Sequence, residues 1–370
     1  MKVTIQYVDI PKGRRVFAAS DLHGHGSWLK SLLDEVGFCD DDYLFLVGDC
    51  LERGSENLAT LRYVMELCKR PNVYATLGNV DVFSLGWCRR TPEDIRACMD
   101  RFLPWYGSTL FTDMCEEAGL AYGTLEEIAC AASRLPELFK AEFDFMYALP
   151  TIIETPFYRF VHGGIPTDDL GKLDLSEAGP YLKNDAFIEQ GVCFDKWLIV
   201  GHWPASLYRR DSIDLTPYVS DDQHIIDIDG GCGVKSDGHV NLLLFPKAGE
   251  EAYTSRQHDD FPLYRALDTQ LRSVVSGSIT YADPGIDLLE SRGELCRVRR
   301  QSDGYEMWVP AKYVKTEDGK SRIWGDCSDF RPEIRPGDVV SLIRRDAVGA
   351  YIKLNGVCGY YDGRLEPLEN

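Results

Sequence analysis

Five short apolar runs each give way to a glycine lying beside an Asp, Asn or His, and this recurrence limits the fold more than any other feature of the chain. Residues 15–20 run into Asp21-Leu22-His23-Gly24, 43–47 into Gly48-Asp49, 73–77 into Gly78-Asn79, 158–161 into His162-Gly163-Gly164, and 197–200 into Gly201-His202. Runs of this length read as buried strands rather than helices. Between the first three lie apolar residues at helical spacing. Ser27 caps a helix carrying Leu29, Leu32, Leu33 and Val36, and a second helix from about Ser55 carries Leu58, Leu61, Met65 and Cys68. Alternating strands and helices predict an α/β fold in which loops at the carboxyl ends of the strands share one rim.

That rim gathers chemistry. Residues i and i+2 at a strand end point the same way, so Asp21 and His23 can converge on one cation. Alone the pair is close to chance; Asp49, Asn79, His162 and His202, delivered to the same rim, supply further ligands. Oxygen and imidazole donors without thiolates suit manganese, iron, zinc or magnesium. Six such groups, with one carboxylate bridging, suffice for two adjacent ions. The twelve cysteines contain no Cys-x-x-Cys pair, which argues against zinc clusters and for buried thiols in a reducing compartment.

At 370 residues the chain exceeds what one core supports, so two domains are expected. A first domain over 1–250 would be interrupted by a helical insertion at 91–148, which opens with Thr91-Pro92-Glu93-Asp94 and contains the capping box Thr124-x-x-Glu127. The insertion reads equally as a cap over the rim or as a packing subdomain. Residues 251–265 read as a linker, and 266–370 as a β-rich domain forming a small, SH3-like β-barrel. Within it, Trp308 and Tyr313 read either as core or as an aromatic surface for a protein partner. With 59 acidic against 40 basic residues, a net charge of −19, the surface would repel nucleic acids and anionic membranes. The N-terminus lacks a signal peptide's apolar core and no run is long enough to span a bilayer, so a cytoplasmic location is expected.

The series Asp21-x-His23-Gly24, Gly48-Asp49-x-x-Glu52-Arg53-Gly54, Gly78-Asn79, Val161-His162-Gly163-Gly164 and Gly201-His202-x-Pro204 resembles the metallophosphoesterase superfamily. Within it, the chain is most similar to the phosphoprotein phosphatase family of serine/threonine phosphatases and its bacterial relatives, including diadenosine tetraphosphate hydrolases. The likeness covers about residues 14–245. It implies two mixed sheets packed together with helices outside. It also implies two divalent ions, manganese first, with Asp21 and His23 on one, Asn79, His162 and His202 on the other, and the catalytic Asp49 bridging them. Hydroxide between the ions would attack phosphorus in line. Arg53 would clamp the phosphate with its planar fork, and a second arginine is expected, for which Arg89 and Arg90 are candidates. The substrate would be a phosphorylated small molecule, a nucleotide or a phosphoprotein.

The chain departs from that pattern at one point. The family follows Gly-Asn with His and Glu, and that His, oriented by an Asp, protonates the leaving group. Here the position is Val80, followed by Asp81, and the orienting acid is Glu52. A general acid contributes about 10²–10⁴ in rate, so poor leaving groups such as serine alkoxides would suffer most. The loss moves weight to diesters and anhydrides. Catalytic substitutes are His25, which also reads as a helix cap, and Asp81, which also reads as a partner of the ligands. His224, at the start of a strand, reads as structural. A non-catalytic protein that binds phosphorylated ligands stays open, although the retention of all six ligands and Arg53 favours an enzyme. A nuclease fits poorly with the acidic charge.

Overall fold

The apolar runs become strands where their pattern places them. The computed structural model describes residues 1–368; residues 369 and 370, the end of the expected 266–370 domain, lie outside the described residues. In chain order the elements are β1 (Ile5–Tyr7), β2 (Val16–Ala19), α1 (Gly26–Glu35), β3 (Tyr43–Val47), α2 (Asn57–Leu67), β4 (Val73–Thr76) and α3 (Asn79–Leu85). The insertion follows as α4 (Pro92–Tyr106), α5 (Leu110–Glu117), α6 (Leu125–Leu138) and α7 (Lys140–Ala148). Then come β5 (Ile152–Glu154), β6 (Tyr158–Val161), α8 (Gly179–Leu182), β7 (Trp197–Val200), β8 (Ile213–Asp214), β9 (Tyr218–Ser220), β10 (Ile225–Asp227), β11 (Val240–Phe245) and β12 (Thr254–His258).

The chain divides into two compact units, the first comprising Met1–Pro204 and Pro217–His258. It holds two mixed sheets, one in the order β12-β11-β2-β3-β4 and the other β1-β5-β6-β7-β10-β9. β2, β3 and β4 run parallel, as do β6, β7 and β10. Parallel strands end on the same side, which is why the polar residues after them can meet. Val16, Ala18, Phe45 and Val47 from one sheet share an apolar cluster with Tyr158, Phe160, Ile199 and Ile226 from the other. The rings of Phe45 and Phe160 stack face to face at 4.0 Å across that layer. Strands buried on both faces carry no polar alternation, and all four residues of β2 are buried.

Helix starts are set partly by local sequence and partly by neighbours. Thr91 caps α4 as expected, accepting the Asp94 N–H at 3.2 Å with Pro92 at the first position, and the Thr124–Glu127 box opens α6. Ser27 does not cap α1. It lies inside the first turn; Gly26 N–H donates to Thr60 Oγ1 (2.8 Å) and Ser27 N–H to Glu56 Oε2 (3.2 Å), so residues of the neighbouring chain segment do the capping. Arg62 of α2 ties the insertion down through Glu117 and Glu142. Among the described residues no helix is long and apolar enough to cross a membrane.

The second unit comprises Ala205–Thr216 and the chain from Asp259. The expected linker at 251–265 carries strands instead: β12, and Leu263–Ala266 in the second unit. Thr254-Ser-Arg-Gln-His258 is a polar edge strand, which in sequence looks like a linker. The β-rich region, expected to form a small SH3-like barrel, holds several sheets among the described residues. One has six strands, with Leu263–Ala266, Val339–Arg345, Ala350–Leu354 and Val357–Tyr361 among them and β8 at its edge. Its core includes Ala266, Ile334, Val340 and Ile352. A five-stranded sheet within residues 285–323 has its own core of Ile286, Val298, Met307, Val309 and Ile323. Tyr313 packs against that core, whereas Trp308 points to the other face, where the Arg292 guanidinium lies 5.3 Å from its ring.

Candidate metal centre

The loops after β2 and β3 are laced together by their backbones. Asp21 N–H donates to Gly48 O (3.0 Å), His23 N–H to Asp49 O (3.0 Å) and Gly24 N–H to Cys50 O (2.9 Å). The lacing holds Asp21, His23 and Asp49 in left-handed backbone, at φ of 52°, 45° and 51°, and His202 adopts 73°. Such conformations cost about 1–3 kcal/mol each and persist only where the surroundings over-determine them. Two glycines let the loops close up. A Cβ on Gly78 would lie 2.0 Å from Asp49 Oδ1, and one on Gly201 would lie 2.3 Å from Asp21 Oδ2.

The structure brings Asp21, His23, Asp49, Asn79, His162 and His202 together. Asp21, His23 and Asp49 form one group, and Asp49, His162 and His202 a second; within each, the donor atoms all lie within 4.8 Å of one another. Asp49 belongs to both. His162 Nε2 lies 3.3 Å from Asp49 Oδ2, and His23 Nε2 lies 3.8 Å from Asp21 Oδ1 and 3.9 Å from Asp49 Oδ2. The outer nitrogen of each ring is engaged: His23 Nδ1 with Leu51 O (3.1 Å), His162 Nδ1 with Val47 O (2.8 Å), and His202 Nε2 with Asp185 Oδ1 (2.8 Å). With one ring nitrogen engaged outward, each imidazole turns its other nitrogen toward the centre.

Charge and lone pairs in this centre fit a divalent cation. The Asn79 amide oxygen lies 2.8 Å from His202 Nδ1, 3.3 Å from His162 Nε2 and 3.2 Å from Leu182 O, and either a cation or the amide turned over to donate relieves that meeting of acceptors. Burial, with Asp229 and Asp49 nearby, raises the Asp21 carboxyl well above its usual range. Burial would also raise Asp49, but the His162 imidazolium holds it below the usual range. Burial opposes charge on His162, yet Asp49 and Asp21 raise it to about 10. Burial and the Arg53 guanidinium lower His23 to about 3, and burial and His162 lower His202 to about 4. The carboxylates thus call for positive charge, and hard oxygen with imidazole donors is the set manganese, iron, zinc or magnesium takes.

The remaining sequence candidates fall around this centre. Asp81 is buried, and its oxygens accept backbone N–H groups of Asp49 (2.8 Å), Gly78 (2.9 Å) and Cys50 (3.0 Å), which places it behind the ligand loop. His25 Nδ1 lies 3.1 Å from Leu22 O and 3.3 Å from Cys232 Sγ, with its ring 4.3 Å from that of Trp28. Val80 is buried and donates its N–H to Asp49 Oδ1 at 2.8 Å. Glu52 faces the other way: its Oε1 accepts from Trp87 Nε1 (2.6 Å) and Ser84 Oγ (2.9 Å), and burial pushes its carboxyl up to about 7. Arg90 donates to Phe83 O and stacks 4.0 Å over the Phe83 ring, while Arg89 lies 5.1 Å over Tyr147, so both are engaged by the α3 and insertion helices. His224 Nδ1 meets Phe194 O at 2.7 Å, as a structural residue would. Two buried or bordering acids escaped the sequence reading. Asp229, fully buried beside Asp21, was signalled only by the Asp-Gly-Gly that follows β10, and Asp185 had no signal at all.

The chain belongs to the calcineurin-like phosphoesterase family, whose sequence profile matches residues 14–224. Among curated proteins it is similar to the symmetrical bis(5'-nucleosyl)-tetraphosphatase of Pseudomonas fluorescens (strain SBW25), at 46% identity over 70 residues, 19% of this chain and 24% of that protein. The enzyme of the same name from Legionella pneumophila (strain Lens) is 39% identical over 71 residues, 19% of this chain and 25% of that protein. The chain thus spans about a quarter of the length of the curated relatives it matches. Among solved structures, a cold-active protein-tyrosine phosphatase of Shewanella sp. aligns over 69% of this chain and 83% of its own, at 14% identity and a TM-score of 0.42.

Proposed function

We propose that this protein is a dinuclear metal-dependent phosphoric ester hydrolase acting on anhydrides or esters with good leaving groups, a bis(5'-nucleosyl) polyphosphate being the favoured class. The observation that carries the reading is Asp49, common to two buried ligand groups. Divalent ions held there, manganese first, supply Lewis-acid activation of water and neutralisation of phosphate charge. The chain's own residues do the rest. Arg53, whose charge is felt at His23, binds phosphate oxygens. Asp81 fixes the backbone of Asp49 and so positions a ligand rather than moving a proton.

The choice of leaving group follows from Val80 and Glu52. Val80 offers no proton, and Glu52, tied to Trp87 and Ser84, does not orient an acid at that position. An alkoxide of serine would have to depart unprotonated, whereas a nucleotide phosphate or an aryl oxide leaves as a stable anion. The names of the curated relatives point to the same substrate class. The test is turnover of diadenosine tetraphosphate, p-nitrophenyl phosphate, its bis-ester and a phosphoserine peptide with each of the four metals. The anhydride and aryl substrates should exceed the peptide. Preference for the peptide refutes the leaving-group argument, and no turnover with any metal leaves a phospho-ligand-binding protein.

A further inference from the structure

We propose that Asp185, which is no metal ligand, governs occupancy of the second ion site by holding His202. This rests on the dinuclear reading above.

The three imidazoles of the centre are not held alike. His23 and His162 lean on backbone carbonyls, of Leu51 in the loop after β3 and of Val47 at the end of β3, which carry no charge. His202 alone leans on a side chain, with Nε2 2.8 Å from Asp185 Oδ1, while its Nδ1 faces the Asn79 amide at 2.8 Å. Its side chain is the most exposed of the three, at 8% against 1% for His23 and 0% for His162. Its ring therefore has the least packing to fix it and depends most on that partner. A carboxylate there keeps the proton on Nε2, aims Nδ1 into the centre and makes the ring a stronger donor. Loss of such a partner typically costs 10–100-fold in metal affinity.

Asp185 belongs to a short segment that borders every ligand of the second site other than Asp49. Tyr181 O accepts the Gly163 N–H at 2.8 Å, next to His162, and Leu182 O lies 3.2 Å from the Asn79 amide. A Cβ on Gly163 would come within 2.7 Å of the Leu182 carbonyl carbon, so the segment is pressed against the ligand loop. None of these contacts reaches Asp21 or His23. Lys183 Nζ sits 3.0 Å from the same Asp185 oxygen and helps to hold the carboxylate in place. The Asp185 side chain is 52% exposed, so its removal opens no cavity and the effect on ion binding is separable from folding.

The experiment is metal counting on the full chain. Metal-free protein is reloaded with Mn²⁺, bound ions per chain are measured by elemental analysis, and the two affinities by titration. Wild type should hold two ions. Asp185→Ala should hold about one at the same free Mn²⁺, with the weaker affinity reduced 10–100-fold and the stronger unchanged. Asp185→Asn, which keeps an acceptor oxygen and loses the charge, should fall between, and Asp185→Glu should recover most of the loss. Melting of the metal-free proteins should coincide. Two ions with wild-type affinities in Asp185→Ala, equal weakening of both ions, or a lowered metal-free melting temperature each overturn the proposal. Wild type binding a single ion overturns the dinuclear reading itself, and the two failures are thereby distinguished.

Discussion

Glu52 Oε1 accepts the indole N–H of Trp87 at 2.6 Å, deep under the loop that presents Arg53. The resemblance to phosphoprotein phosphatases leads one to expect this acid to face the residue after Asn79. It faces the insertion instead, where Leu110 N–H at the start of α5 also approaches it at 3.4 Å. Glu52 thus serves as an anchor, and the position after Asn79 carries an aliphatic side chain.

That anchor should show itself in the pH dependence of stability. Burial raises the Glu52 carboxyl from 4.5 to about 7, so the folded state holds the proton more tightly than the unfolded state. The stability this group contributes is present below about pH 4.5 and is lost as pH rises to about 7, on the order of 3 kcal/mol in all. In Glu52→Gln the decline in urea-unfolding free energy between pH 5 and pH 8 should be smaller than in wild type. An undiminished decline would show that other groups carry it.

Restoring the proton donor alone should achieve little. Val80→His places an imidazole where the family has one, but Trp87 and Ser84 keep the orienting acid engaged. Turnover of a phosphoserine peptide is expected to rise less than ten-fold, against the 10²–10⁴ a well-placed acid gives. A gain of a hundred-fold or more would refute this account of Glu52.

The close approach of the loops can be tested at its glycines. Gly78→Ala puts a methyl group against Asp49 Oδ1, and Gly201→Ala puts one against Asp21 Oδ2. Both acids belong to the candidate centre, so each variant should bind Mn²⁺ at least ten-fold more weakly than wild type in a direct titration. Unchanged affinity in both would mean that these oxygens hold no ion.

The stacked pair between the sheets should dominate stability of the first unit. Phe45→Ala removes a buried ring packed at 4.0 Å on Phe160, and loss of a buried Phe costs about 3–5 kcal/mol. Denaturant titration of the metal-free protein followed by far-UV circular dichroism should register it; a loss below 1 kcal/mol would contradict the packing described.

Much of the fold was legible because parallel strands buried on both faces leave an unbroken apolar run, as Tyr43–Val47 does. The six candidate ligands were legible because each follows such a run beside a glycine. What escaped depends on contacts between distant residues. Asp185 lies in irregular chain and matters only because folding carries it to His202. The α1 cap is supplied from Glu56 and Thr60, so Ser27 misled. β8 pairs with Val357–Tyr361 across a long separation in sequence, which no local pattern could reveal. Thr254–His258 was missed because an edge strand with polar side chains has the composition of a linker. The direction of Glu52 was hidden because the same Glu-Arg-Gly can turn to either side.

The two candidate ligand groups differ in how much of the chain must be in place before they exist. Asp21, His23 and Asp49 come from consecutive parallel strands of one sheet. His162 and His202 arrive from the other sheet, after the whole helical insertion. The first group is local and can assemble on a half-built chain during synthesis, whereas the second closes only when both sheets have met. On the proposed dinuclear reading, filling of the second group would mark the completed sandwich, and a chain cut within the insertion would leave one fragment with Asp21, His23 and Asp49 and the other with His162 and His202, which meet Asp49 only on reassembly.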